Sequence, residues 1–291
     1  MKRFSSIAAL TAFLLTSAAC GDDAKQSADT GGAGDAPQAI ISLSPSATEM
    51  LFAIGAGDQV IAVDEYSDYP AAALEGQHDL SGFEPNVEAI AALAPDLVVM
   101  ESPSIQPQLE ALGIAVFIGA APTNFDDLYA QMEQLGAATG HIGEAAQLVG
   151  EMQADIDAAV AAAGTTEALT FYHELDNTYF SVTRNTFIGQ VYALFGLDNI
   201  ADGAEAGNDY PQLNAEYIIA AAPDLIFLAD TKYSSESADT VAARAGWEAI
   251  PAVADGHVVA MDDDIASRWG PRIVDYVKAV SAALALVAAS S

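Results

Sequence analysis

The chain is short of cysteine, of positive charge and of long apolar runs. Its 291 residues contain one cysteine, Cys20. A single cysteine makes no internal disulfide and no CxxC zinc pattern. Only four histidines occur, so no dedicated zinc or iron site of protein ligands is expected. The lysines and arginines number 9 against 41 acidic residues, a formal net charge of −32. Such a chain repels nucleic-acid phosphates and anionic lipid surfaces, which excludes nucleic acid as a partner. No Walker A loop, GxGxxG, HExxH or G-x-S-x-G elbow is present. No segment beyond the N-terminus runs to 18 consecutive apolar residues, so none reads as a membrane span.

What is present is apolar enough to fold: 52% of residues are hydrophobic and only 17% charged. The length allows two domains or one large one. The acid excess is expected on a solvated surface.

The first residues read as an address. Lys2-Arg3 precede an apolar stretch, Ile7 to Leu15, which is too short to span a bilayer and fits the core of a signal peptide over 1–19. Ser17-Ala18-Ala19 then lead into Cys20. These small residues before the sole cysteine resemble a bacterial lipobox, with Ser17 standing where Leu is usual. The resemblance implies that Cys20 is lipidated; the alternative is ordinary cleavage with a free thiol. Residues 20–38 are rich in Gly, Ala, Asp and Ser without apolar periodicity, which predicts a flexible tether. The expected location is extracytoplasmic, on a lipid anchor.

Two phrases repeat. Glu88-Ala-Ile-Ala-Ala-Leu-Ala-Pro95-Asp96-Leu-Val-Val reads like Glu216-Tyr-Ile-Ile-Ala-Ala-Ala-Pro223-Asp224-Leu-Ile-Phe. Each is a short apolar helix stopped before proline, then an apolar run suited to a strand buried on both faces. Strands are predicted at 40–43, 60–63, 97–100, 115–118, 169–172, 225–228 and 258–261, with helices between. Residues 142–163 lack proline and carry Leu148, Met152, Ile156 and Ala159 at helical spacing. They predict one helix of about 33 Å joining two halves. The expected fold is α/β, with two Rossmann-like lobes of mostly parallel sheets: an N-terminal lobe at 39–141, the joining helix at 142–163 and a C-terminal lobe at 164–291. A ligand cleft is expected between them.

The ordered set Ile41-Ser-Leu-Ser-Pro-Ser-Ala-Thr-Glu49, Glu65-Tyr66-Ser67-Asp68-Tyr69-Pro70, Asn86-Val87-Glu88, Pro95-Asp96 and Gly270-Pro271-Arg272 resembles the iron-siderophore, haem and cobalamin class of ABC-importer solute-binding proteins. The likeness covers about residues 39–287 and is strongest to the cobalamin-binding members. It implies a monomer that captures a tetrapyrrole or chelated-metal ligand and delivers it to an ABC permease with its ATPase subunits. It implies aromatic ligand contacts at Tyr66, Phe83, Phe180 and Tyr210. Trp269 has no clear family counterpart and is placed at the cleft because it precedes a helix start. Glu88 and Glu216, at matching places in the repeat, are implied to dock the permease; helix N-terminal charge compensation is a compatible second role.

Aromatic faces suit a broad, flat, largely apolar ring. Arg184, Arg268 and Arg272 are the cations in plausible loops or helix starts, and Arg268 is taken as a ligand contact. So few cations favour a ligand of little net charge, such as cobalamin, over an anionic siderophore. A haem would need an axial His or Tyr, and His173 in Tyr172-His173-Glu174 is the candidate; a hydrogen-bonding loop histidine is the alternative. No resident cofactor or metal is expected. An enzyme is the competing class: Ser44, Ser46, His173 and Asp176 could be drawn as a triad. Asp262-Asp263-Asp264 lacks calcium-loop spacing and is expected in a solvated loop.

Overall fold

The apolar runs become the central strands of two separate sheets. The structure, a computed structural model, describes residues 36–164, 169–232 and 234–290. The expected signal peptide, Cys20 and the tether up to residue 35 lie outside the described residues.

The first lobe comprises β1 (Ile40–Leu43), α1 (Pro45–Ala53), β2 (Val60–Asp64), β3 (Gln77–Leu80), α2 (Val87–Ala92), β4 (Leu97–Met100), α3 (Gln106–Ala111), β5 (Ala115–Ile118) and α4 (Phe125–Thr139). Its strands lie in the order β3-β2-β1-β4-β5, every pair parallel. Helix α5 (Ile142–Ala163) follows. The second lobe comprises β6 (Thr170–Glu174), α6 (Phe187–Ala193), β7 (Asp198–Asn199), α7 (Ala215–Ala221), β8 (Leu225–Leu228), α8 (Ala238–Ala242), α9 (Pro251–Ala254), β9 (Val258–Ala260), α10 (Asp263–Ser267) and α11 (Ile273–Ser290). Its order is β7-β6-β8-β9, again all parallel.

The central strands β1, β4 and β8 are buried along their whole length, as continuous Ile, Val and Leu runs require in a parallel sheet covered on both faces. Two edge strands carry no such signal. β3 reads Gln-His-Asp-Leu with three exposed residues, and β7 is two residues long.

The repeated phrase encodes one device used twice. Asn86 and Asn214 cap α2 and α7 by accepting backbone N–H groups. Each helix is left through an alanine in the left-handed region, Ala94 at φ 49° and Ala222 at φ 48°. The aspartate after each proline then pins the start of a neighbouring strand. Asp96 Oδ2 accepts the Gln38 and Ala39 N–H groups at 2.8 and 3.1 Å. Asp224 Oδ2 accepts the Thr170 N–H and hydroxyl at 2.8 and 2.9 Å. Gln38, the end of the expected tether, is thus tied to the fold.

Helix α5 buries Ala145, Val149, Met152, Ile156 and Ala159, against α4 of the first lobe and α11 of the second. Gly136 permits the α4 approach, because a Cβ there would sit 2.5 Å from that of Ala145. On the other side the Ser281 hydroxyl donates to the Ala159 carbonyl at 2.7 Å. One buried cluster runs from Met50 and Leu135 through Met152 to Phe171, Tyr192 and Val277, so the lobes share a core. No described helix is long and apolar enough to cross a membrane.

Candidate functional site

Parallel strands bring their carboxyl ends to one edge, and the loops leaving that edge build the site. Leu43 ends β1 and Ser44 follows it, Asp64 and Tyr66 come from the end of β2, and Gly82 and Phe83 follow β3. Met100 ends β4 and Glu101 to Ser104 follow it, and Ala120-Ala121 follow β5. Together they line a cavity of about 740 Å³. Tyr66 and Phe83 form its aromatic lip, with ring centroids 5.6 Å apart and planes at 82°. They are 50% and 82% exposed, so both faces are open to a ligand.

A buried polar chain holds the Tyr66 loop. The Thr48 hydroxyl lies 2.8 Å from both Ser42 Oγ and Ser67 Oγ. Ser67 Oγ donates to Asp64 Oδ2 at 2.9 Å, and the Tyr66 N–H donates to Asp64 Oδ1 at 2.8 Å. Burial pushes the Asp64 carboxyl up, partly offset by these two hydrogen bonds. The motif Ser42 to Glu49 therefore serves the loop at 66–70 rather than touching a ligand throughout. Ser44 also caps α1, with Pro45 in its first turn.

The second lobe contributes at the same edge. Loops after β6 and β7 pair through an antiparallel bridge between Phe180 and Gln212. Flanking bonds run from the Ser181 N–H to the Pro211 carbonyl and from the Thr183 N–H to the Asp209 carbonyl. This pairing sets Phe180 and Tyr210 on one exposed lip. The 740 Å³ cavity itself is lined by first-lobe residues alone. An adjoining cavity of about 200 Å³ shares Ser44, Glu101 and Ala121 with it and adds Ser267 and Trp269 from the second lobe. Trp269 packs on Phe187 at 4.8 Å, half in the core and half in this cavity.

Three sequence expectations change. His173 lies on β6, fully buried, with Nδ1 2.9 Å from the Tyr192 hydroxyl. Burial lowers its pKa to about 3. It presents no nitrogen to a haem or to a triad, because both faces of the sheet are covered. Arg268 is 8% exposed and occupied by acids: Asp68 at 2.5 Å, Asp264 at 3.2 Å and Glu49 at 3.6 Å. It ties the lobes together rather than reaching for a ligand. The three aspartates are not a solvated loop. Asp262 caps α10, buried Asp263 accepts the Thr231 and Lys232 N–H groups, and Asp264 pairs with Lys232 at 2.7 Å.

Other charged groups carry roles that sequence reasoning missed. Buried Glu49 accepts from Arg272 Nε at 2.8 Å, and the Arg272 guanidinium lies 4.3 Å from the Tyr69 ring centre. Glu49, the one charged residue in α1, and Arg272, behind Gly270-Pro271, were the available signals. In the second lobe Arg244 grips Glu174 through two 2.6 Å bonds and Glu236 through one of 2.9 Å. Nearby Asp230 is buried with neither carboxylate oxygen hydrogen-bonded. Burial first, then Glu174 and Glu236, push its pKa up to about 7. The docking candidates Glu88 and Glu216 are both exposed in the first turns of α2 and α7.

Two parallel α/β lobes on one spanning helix, with an aromatic-lipped cavity at the strand ends of the first and an adjoining cavity walled by both, define a two-lobed solute-binding protein. The chain belongs to the periplasmic binding protein family, whose pattern matches residues 40–265. It is a solute-binding protein of the ABC-importer class, whose members serve a permease and its ATPase. The cobalamin-binding protein of Halobacterium salinarum is 30% identical over 256 residues, 82% of this chain and 67% of that protein. The periplasmic vitamin B12-binding protein of Vibrio cholerae superposes with a TM-score of 0.72 at 25% identity, over 87% of this chain and 98% of that one. A periplasmic haem-binding protein of Roseiflexus gives 0.74 at 25% identity, over 87% and 99%.

Proposed function

We propose that the chain captures cobalamin outside the cytoplasm and presents it to its permease. The observation that carries this reading is the Tyr66–Phe83 pair on the lip of a cavity lined by two acids, Asp64 and Glu101, and no lysine or arginine. Aromatic faces bury a broad apolar ring at small entropic cost. A cavity without cations disfavours an anionic ferric siderophore or the propionates of haem. Buried His173 supplies no axial ligand. The names of the relatives support the same choice.

In this reading Tyr66 and Phe83 take one side of the ligand, and Phe180 and Tyr210 take the other. Trp269 forms the floor between them. Glu88 and Glu216 meet basic groups on the permease. The chain makes and breaks no bond and needs no cofactor of its own. Cys20 carries the lipid that holds the chain at the membrane.

The test is a tryptophan-fluorescence titration of the full chain with cyanocobalamin, haemin and several ferric siderophores, checked by calorimetry. Saturable submicromolar binding of cyanocobalamin, and of no other ligand, is expected. Tight haemin binding with a new Soret band and no response to cyanocobalamin would overturn it.

A further inference from the structure

We propose that Arg268 is a positioning residue: through Asp68 it latches the Tyr66–Pro70 loop to the second lobe and holds Tyr66 in its ligand-ready pose. The proposal deepens the site described above and rests on the cobalamin reading only for its affinity readout.

The loop is held from both lobes by successive side chains. Ser67 turns inward to Thr48 and Asp64 of its own lobe. Asp68 and Tyr69 turn outward. Asp68 meets Arg268 Nη1 at 2.5 Å and lies 3.8 Å from Lys232 Nζ. Tyr69 meets the Arg272 guanidinium face at 4.3 Å. Tyr66, between the two anchors' reach, is left to the cavity.

The partner loops follow β8 and β9, so carboxyl-end loops of one sheet grip a carboxyl-end loop of the other. They are themselves braced. Asp263 fixes the backbone of Thr231 and Lys232, and Asp264 pairs with both Lys232 and Arg268.

The two ends of the network differ in exposure. The Glu49 side chain is 1% exposed, and its bond to Arg272 is shielded from water. The Asp68 side chain is 46% exposed. Water and salt reach that end, so it opens at far lower cost than the Glu49 end. Arg268 has acids at three positions around it and no free face for an anionic ligand. Its effect on binding must therefore run through the loop.

The test uses the full chain with Arg268→Gln, Asp68→Asn, the double variant and Arg268→Lys. Amide hydrogen exchange without ligand reads the loop directly. Arg268→Gln and Asp68→Asn should each speed exchange at residues 66–69 by about tenfold, a shift of one 1.4 kcal/mol step. The double variant should add little to either. Arg268→Lys, which keeps the charge, should restore much of the protection. Asp155→Asn, at the distant Lys278 pair, should change nothing there. Cyanocobalamin affinity should fall about tenfold in parallel. Unchanged loop exchange in both single variants would overturn the latch. So would affinity losses that multiply in the double variant, since that marks Arg268 as a direct ligand contact. A wild-type chain that ignores cyanocobalamin would sink the ligand reading, while the exchange data would still decide the latch.

Discussion

Replacing Asp230 with asparagine is expected to stabilise the chain at neutral and higher pH and to remove a pH dependence. Asp230 is 3% exposed, and neither carboxylate oxygen has a hydrogen-bond partner. Burial, with Glu174 and Glu236 close by, lifts its pKa from 3.8 to about 7. The folded chain therefore keeps this proton up to about pH 7, whereas the unfolded chain releases it near pH 4. Between those values the folded state binds more protons. The contribution of this group to stability is complete below the unfolded value, declines as pH rises, and is gone above the folded value. A shift of about three units corresponds to about 4 kcal/mol across the window. Asparagine keeps the volume and never ionises. Unfolding should be followed in urea, which is uncharged and leaves the acidic surface unscreened. At pH 8 the variant should exceed the wild type by roughly 2–4 kcal/mol. At pH 4.5 the gap should shrink to about 1 kcal/mol, because the folded carboxyl is then protonated and the pH lies only just above the unfolded value. A wild-type-minus-variant difference that is the same at both pH values would refute the reasoning.

Replacing both Glu88 and Glu216 with alanine should abolish uptake in cells and leave ligand affinity in vitro intact. Normal uptake by that double variant would remove the docking role. Tyr66→Ala and Phe83→Ala should each weaken cyanocobalamin binding by about 1–2 kcal/mol, since each removes an exposed aromatic face. Neither should move the urea midpoint by more than about 0.5 kcal/mol equivalent, because both side chains are solvent-exposed. Raising sodium chloride from about 0.1 to 1 M shortens the screening length from about 10 to 3 Å. With 41 acidic residues against 9 basic ones, screened repulsion should outweigh weakened ion pairs and raise the urea midpoint. A midpoint that falls with salt would show that the ion pairs dominate.

The parts legible in the sequence were those where burial leaves a local trace. Strands β1, β4, β5 and β8 coincide with their apolar runs, and α5 spans the predicted 142–163. The helix shows because nothing in that stretch breaks it before Gly164, which adopts φ 71°. β3 was illegible because an edge strand made of Gln, His and Asp has no buried face to mark it. His173 misled for the opposite reason. A polar residue at the end of an apolar run reads as a loop or site, yet β6 is covered on both sides and the Tyr192 hydroxyl meets Nδ1 of the ring, while Nε2 is buried without a partner. That hydroxyl bonds in turn to Tyr276 at 2.6 Å, and no local pattern links residues so far apart. Arg268 misled because its partners, Asp68 and Glu49, lie about two hundred residues away in sequence.

The shared core limits how such a protein can report that it is loaded. Opening the lobes at α5 would expose part of a continuous cluster that includes Met50, Met152 and Tyr192. At about 25 cal/mol per Å², exposing even 200 Å² costs about 5 kcal/mol. A ligand that drove such a movement would forfeit most of a micromolar affinity, which is about 8 kcal/mol. The spacing of Glu88 and Glu216 should therefore be nearly the same in empty and loaded chains. Occupancy must then be expressed locally, where structure yields at low cost. The Tyr66–Pro70 loop meets that condition: its aromatic residue faces the cavity and its half-exposed Asp68 is the weak end of the lobe-bridging network. On the proposed role of Tyr66, a ligand that presses on it should order or release that loop without moving either glutamate. If the proposed docking through both glutamates holds, a permease can then sense the ligand only through surfaces beside the cavity.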